Sequence, residues 1–502
     1  MTSTGTTTGT ATGTSTAPRT CIEGGLVVAF DGTEHRLIRD GVVVYAADRI
    51  VHVGGAYAGP RAQTIDARGK LVIPGQISGH AHVSAQEGGR LLIDGGRRDF
   101  FRSGFLNYLP TRGDGGTSFM RDADGRASLR FGLASLVRHG ITTVVPFAPG
   151  GPDAGATMVE ETTAFGVRIY HAPVALSGRY FFDGDGRLHR VIDEAAGLRA
   201  LEATAAFIER YDGAADGRVR GLVTVDEFYN ATPRLLREAR ALATRLGVGL
   251  TMHFCEQVME FLDTVRDTGK TPAAVLRDEG VLGPDVLLAH AVYLAGHRAT
   301  AYPHGGDLEI LAGSGASVVH APAGFARRGI TLESFDRYRA AGVNMVIGTD
   351  VYPLDILSEM RTAALACKLF EQSHEAAPAM AVFNASNLGG ARALRRDDLG
   401  RLAAGAKADI VMLDWDNLHI GPFTDPIRAL IYQGSPDMVH TVICDGRVLL
   451  ENKRLLVCDE AEVRSAARRS AERVWAGFPA YHWAGRSLDE EFPPAIRPWP
   501  GA

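Results

Sequence analysis

Lys70-Leu71-Val72-Ile73-Pro74-Gly75-Gln76-Ile77-Ser78-Gly79-His80-Ala81-His82 joins an apolar run, a Pro-Gly break and a histidine pair in one stretch. The residues 70–73 read as a buried strand, the first of a series, with the two histidines directly after it. Side chains at i and i+2 point the same way in an extended chain, so both imidazoles can reach one ion. Two histidines with one residue between them are common, and only their position at a strand end, beside other donors, gives the pair a metal-binding meaning.

Downstream, segments rich in Val, Ile and Ala alternate with amphipathic stretches. Strands are expected near 142–147, 167–172, 220–225, 249–253, 286–290, 316–320 and 343–349, and helices over 129–139, 232–246, 308–312, 332–341 and 354–370. Parallel strands need helical crossovers, and about eight strand–helix units suggest closure. The expected fold class is α/β, a (β/α)8 TIM-like barrel spanning 70–402.

The flanks read differently. Short β-branched segments with Asp-Gly and Gly-Gly breaks occupy 18–69, and the same hairpin style returns over 403–474. The two are expected to pair as one small, discontinuous β-sandwich domain. Residues 1–17, nearly all Thr, Gly, Ser and Ala, read as a disordered tail without the basic start and apolar core of a secretory signal. The end, 475–502, is rich in Pro, Trp and Arg and is expected as an extended strap.

The bulk numbers narrow the function. Of the 502 residues 45% are hydrophobic and 22% charged, and no apolar run approaches the roughly 20 residues a membrane span needs. The 53 basic and 58 acidic side chains leave a net charge of -5, so there is no electrostatic footprint for nucleic acid or an anionic membrane. The expected partner is a small-molecule substrate. Five scattered cysteines without a Cys-x-x-Cys pair argue against a disulfide framework and for a reducing, cytoplasmic setting.

The strand ends carry the chemistry. His253 closes the strand Leu250-Thr251-Met252-His253, and Glu256 follows three residues on. A third imidazole can complete a cation's ligand set, and a carboxylate one turn later can deprotonate an activated water. His290 ends Val286-Leu287-Leu288-Ala289-His290, and Asp350 ends Met345-Val346-Ile347-Gly348-Thr349-Asp350. Such enzymes build their sites where barrel strands end at their C-terminal side, so His80, His82, His253, His290 and Asp350 are expected at one mouth.

These motifs together resemble the amidohydrolase superfamily, in its cytosine deaminase-like or triazine hydrolase branch. The resemblance runs over about 25–456. It rests on Ile65-Asp66-Ala67-Arg68-Gly69 and the strand after it, on His80-x-His82, and on Gly140-Ile141-Thr142-Thr143-Val144. His253-x-x-Glu256, His290, Gly348-Thr349-Asp350 and Gly405-Ala406-Lys407-Ala408-Asp409 complete it. It implies one divalent ion, zinc first and Fe2+, Mn2+ or Co2+ as alternatives, on His80, His82, His253 and Asp350. Glu256 would shuttle protons and His290 would orient the water or polarise the electrophile. It also implies a homo-oligomer.

The chain departs from the family in places. Deaminases of this branch carry a substrate-contacting histidine after strand four, where this chain has Val225-Asp226-Glu227-Phe228-Tyr229. Asp226 and Glu227 stand where binuclear relatives place a bridging group, which leaves two readings: a ligand for a second ion, or loop acids bonded to Arg218 or Arg220. His320, at the end of strand seven, and Tyr352, just past Asp350, are candidate substrate contacts. So is Phe101, within an aromatic and arginine-rich stretch, 97–108, compatible with a lid, a subunit contact or ordinary packing.

The function expected is metal-dependent hydrolysis of a C–N bond in an amide, urea, carbamate or substituted heteroaromatic ring, by activated water. The alternatives are an aminohydrolase of a purine, pyrimidine or triazine, and a catalytically silent barrel serving as an assembly module. The full set of ligand-type residues together with Glu256 and His290 speaks against the last.

Overall fold

Eight parallel strands, Gln76–Ala81, Ile141–Pro146, Arg168–His171, Val219–Glu227, Gly249–Phe254, Val286–His290, Ser317–His320 and Asn344–Ile347, lie in one sheet in the order of the chain. The computed structural model describes residues 17–84, 86–91, 94, 119–148, 152–304, 306–497 and 499. The sheet closes between its first and last strands. The amides of Thr349 and Asp350 donate to the His80 carbonyl at 2.9 and 3.0 Å, and the His82 amide donates to the Asp350 carbonyl at 2.6 Å.

The strands are apolar along nearly their whole length because both faces are covered. Inside the barrel, Ile77, Val145, Tyr170, Leu222, Leu287, Val319 and Val346 pack together, each from a different strand. The outward side chains meet the helices in the main core. Helix starts follow their caps. Asp124 accepts from the Ala127 amide, so the helix Gly125–Arg138 begins one turn before its apolar pattern. Thr232 with Pro233 opens Pro233–Leu246, and Asp355 opens Ile356–Glu371.

The structure corrects one expectation at the entry. Lys70–Pro74 is not the first barrel strand: it pairs with Leu26 and Val27 on one side and with Ile410–Asp414 on the other. The barrel starts only after Gly75, whose amide donates to the Asp409 carbonyl at 2.9 Å. A Cβ there would lie 2.2 Å from Thr142 Oγ1, so glycine is what lets the chain pass from one sheet into the other. The apolar run reads as a barrel strand because periodicity cannot tell which of two buried sheets a strand joins.

The two ends of the chain meet in one nine-stranded sheet, ordered Arg454–Leu455, Arg447–Glu451, Val439–Cys444, Ile410–Asp414, Lys70–Pro74, Arg19–Phe30, His35–Ala46 and Arg49–Gly54, with Gln63–Asp66 added beside Arg19–Phe30. Its core includes Ile22, Val43, Ile50, Val72, Met412 and Ile443. The fully buried Arg168 guanidinium pairs with Asp409 and with Asp445, at 2.5 Å, and so ties the third barrel strand to this sheet.

After the sheet, the helix Glu460–Ala476 lies on the barrel, where Ser470 Oγ accepts from the Asp124 amide at 2.8 Å. The expected strap instead folds into short helices, Phe478–Tyr481 and Leu488–Glu491. Phe478, Tyr481 and Phe492 bury themselves against Val474, and Ser487 with Glu490 forms a capping box that nucleates the last turn. A hairpin, Gly178–Phe182 with Leu188–Ile192, follows the third barrel strand and has no counterpart in the expected elements. Among the described residues no helix is long and apolar enough to cross a membrane.

Candidate metal centre and active site

His80 lies inside the first barrel strand and is fully buried; its Nδ1 has no hydrogen-bond partner among the described residues, and its Nε2 faces Asp350. A buried imidazole nitrogen left without a partner is costly. His82 follows just past the strand and His253 belongs to the fifth. His290 and Asp350 end the sixth strand and follow the eighth with left-handed backbones, φ 79° and 51°. For residues other than glycine such backbones cost about 1 kcal/mol or more and gather at functional sites.

The donor atoms converge. His82 Nε2 lies 3.2 Å from His253 Nε2, and His80 Nε2 and His82 Nε2 lie 3.3 and 3.5 Å from the same oxygen, Asp350 Oδ1. Ligands about 2.1 Å from an ion at the tetrahedral angle sit roughly 3.4 Å apart. These separations match the edge lengths of one tetrahedral coordination shell. His80, His290 and Asp350 form a second triplet and His253, Glu256 and His290 a third, with ligand-type atoms of each within 4.8 Å of one another.

The surroundings prepare these groups. His253 Nδ1 hydrogen-bonds to the Asp226 carbonyl, which places the proton on that nitrogen and leaves Nε2 as a lone pair. Burial, reinforced in each case by a neighbouring imidazole, pushes His82 and His253 down to about 4, so both are neutral at pH 7, the form in which an imidazole can bind a metal. Burial also lowers His80 and drives His290 well below the usual range. Burial alone would raise Asp350, but the imidazoles of His80, His290 and His82 outweigh it and hold the carboxylate well below its ordinary value. Glu256 goes the other way: burial, then the charge of Asp350, raise it well above a normal carboxylate. A donor set of three neutral imidazole nitrogens and one carboxylate fits a zinc-type ion.

A cavity of about 660 Å³ opens beside the site, lined by His82, Asp226, Leu129, Phe147, Met158 and Leu176 among others. That volume lies within the range of small-molecule pockets. Asp226 sits at a bulge in the fourth strand, between Thr224 and Glu227, and burial pushes its carboxyl up to about 6.

The other sequence candidates fall in different places. His320 borders a small space shared with His290 and Phe325, and burial lowers it to about 3. Tyr352 stacks under the Arg90 guanidinium at 3.9 Å, with Phe131 on the same cation at 4.3 Å, and lines a separate groove with Arg464 and Arg468. Phe101 and the aromatic stretch around it lie outside the described residues. Glu227 belongs to none of the ligand groups found among the described residues: Asn230 Nδ2 and Gln257 Nε2 donate to it at 2.6 and 2.8 Å. Neither expected arginine holds these acids, since Arg218 pairs with Asp216 and Asp445 and Arg220 with Asp212.

Sequence reasoning missed Glu260. Both its carboxylate oxygens are spent on the turn that carries Glu256, accepting the amides of Cys255 and Glu256 at 2.8 and 3.0 Å. The signal was present as two glutamates four apart at a helix start.

A family model described as the amidohydrolase family matches residues 71–449. The chain belongs to the amidohydrolase family. This amidohydrolase is 32% identical to the 5-methylthioadenosine/S-adenosylhomocysteine deaminase of Halobacterium salinarum, over 90% of this chain and 97% of that one. It is 31% identical to the 5'-deoxyadenosine deaminase of Methanothermobacter thermautotrophicus, over 87% and 95%. Among solved structures, an adenosine deaminase from Xanthomonas campestris with bound zinc superimposes with a TM-score of 0.76 at 21% identity, covering 91% of this chain and 98% of that one. A mutant atrazine chlorohydrolase from Arthrobacter aurescens, complexed with zinc and atraton, gives 0.76 at 24%, covering 90% and 100%. At those identities the two structures speak to the fold. This amidohydrolase is a metal-dependent hydrolase of carbon–nitrogen bonds, and its cofactor is a divalent metal ion.

Proposed function

We propose that this amidohydrolase is a hydrolytic deaminase of an amino-substituted heteroaromatic ring of the aminopurine type, with His80, His82, His253 and Asp350 holding one zinc ion. The observation that carries this reading is the set of donor separations, 3.2 to 3.5 Å, among those four side chains. Two relatives above 30% identity, both named as deaminases of adenosine derivatives, support the ring class.

When bound, the ion supplies Lewis acidity that makes water acidic enough to lose a proton near neutral pH. The protein residues do the rest. Glu256 accepts the proton of the attacking water. Its raised proton affinity lets it hold that proton and pass it to the departing amino group. His290, neutral through burial, orients the water by hydrogen bonding. Phe147 packs against His80 and His253 with ring centroids 4.6 and 4.4 Å apart, which keeps bulk water off the ligands. The balance is ring–NH2 plus water giving ring–OH, which tautomerises to the oxo form, plus ammonia.

The test is ammonia release by zinc-loaded enzyme from adenosine, 5'-deoxyadenosine and methylthioadenosine. Turnover of at least one is expected. Absence of ammonia from all three, with hydrolysis of a simple amide or urea instead, would replace the aminopurine reading with an amidase or urease-type one.

A further inference from the structure

Resting on that reading, we propose that Asp226 selects rings presenting a second nitrogen donor, an N–H or amino group besides the one lost, to the cavity wall beside His82. The local backbone decides where this side chain can go. Thr224 pairs with Thr251 but Glu227 pairs with His253, so one extra residue is inserted in the fourth strand between them. The Asp226 amide donates to the Ala175 carbonyl at 3.0 Å, and its carbonyl is taken by His253 Nδ1. With its backbone pinned on both sides, Asp226 lines the cavity, while Glu227 beside it is engaged by Asn230 and Gln257.

The carboxylate has no hydrogen bond or ion pair to any described residue. Arg126, the one cation among the described residues lining the cavity, is committed to Glu160 at 2.7 Å and Glu161 at 2.5 Å. The wall around Asp226 is otherwise largely apolar, with Leu129, Phe147, Met158, Val174 and Leu176. Without a donor from any described residue, this half-buried carboxylate is placed to accept from a ligand's N–H or amino group. A ring with a carbonyl, halogen or anionic group at that edge meets repulsion, and one with an amino group gains a charge-assisted bond. Specificity follows from rejection as much as from attraction.

The test uses the zinc-loaded full chain with 2-aminoadenosine and 8-aminoadenosine, each against the chloro analogue of similar size, and adenosine as reference. Wild type is expected to prefer at least one amino compound over its chloro partner by roughly tenfold to a hundredfold, in kcat/KM and in binding by ligand-induced thermal shift. Asp226→Asn and Asp226→Ala are expected to reduce that ratio to within about threefold while keeping their zinc. Equal binding of amino and chloro compounds by wild type overturns the proposal, as does a ratio that survives in both variants or binding of none of the compounds. If compounds bind with the predicted preference but none releases ammonia, the deaminase reading fails and the donor selection stands.

Discussion

The amide of His82 donates to the carbonyl of Asp350 at 2.6 Å, so the bond that closes the barrel also joins two of the candidate metal ligands. The seam of the barrel and the candidate site share these backbone bonds. The His80 carbonyl, which accepts from Thr349 and Asp350, adds a third candidate ligand residue to the seam.

Loss of the ion and loss of chemistry should therefore separate cleanly. Asp350→Ala and His80→Ala each remove a donor from the polyhedron and are expected to lower bound zinc well below one per chain, together with activity. Glu256→Gln keeps the donor set and loses the group that moves the proton. It should retain near-normal zinc while turnover falls by about a hundredfold or more. Metal analysis by plasma emission alongside ammonia release checks both. Near-wild-type turnover in Glu256→Gln would assign the proton transfer to another residue.

Glu260 is expected to act on rate through Glu256. Its two oxygens accept the amides of Cys255 and Glu256, and Cys255 is itself held at φ 50°. A glutamine offers one acceptor and one donor, so Glu260→Gln turns one of the bonds into a donor facing a donor. Displacing a proton-transfer group by a fraction of an ångström is expected to lower kcat by about tenfold or more, with KM and zinc content nearly unchanged. Equal loss of zinc and activity would instead mark Glu260 as part of the metal site's framework.

The candidate ligand residues could be picked out in the sequence because each sits at or near a strand end, where a polar residue interrupts an apolar run. The first barrel strand was hidden for the opposite reason. Gln76–Ala81 contains Ser78 and Gly79, which look unlike a core strand, yet Ser78 Oγ lies 3.0 Å from Thr349 Oγ1 and accepts the Thr349 amide at 3.1 Å across the seam. Asp226 and Glu227 could not be assigned to faces, since the bulge before Glu227 resets the alternation that such a reading relies on. The ion pair between Arg168 and Asp409 spans 241 residues of chain, and no local pattern announces it.

Acid should weaken the junction between the sheet and the barrel's lower end through Asp398. Burial would raise this carboxyl, but Arg396 and Arg49 outweigh it and hold it down to about 2. A folded value below the unfolded one, about 3.9, means that the contribution is fully present above that pH and is lost as pH falls toward 2. Asp398→Asn is expected to lower stability at pH 7 and to shrink its pH dependence between about 4 and 2, followed by urea unfolding across that window. An unchanged acid limb in the variant would assign the dependence to other carboxylates.

Gly79 should couple stability to metal affinity. A Cβ at this position would lie 2.7 Å from Val346 Cγ1 and 3.1 Å from both methyls of Val319, side chains of the eighth and seventh strands that fill the barrel interior. These neighbours are packed on every side, so Gly79→Ala is expected to push the first strand from the eighth and to cost about 1 to 3 kcal/mol as overpacking does. His80 is the next residue, and the seam bonds from Thr349 and Asp350 to its carbonyl would lengthen with that shift. Zinc affinity should therefore fall in the same variant, read by competition with a chromophoric chelator. Gly55→Ala, where the added carbon meets nothing within 4 Å, serves as the control and should change neither quantity. Lower stability with unaltered zinc affinity would mean that the seam can widen without moving the ligands, and the coupling between closure and site would be lost.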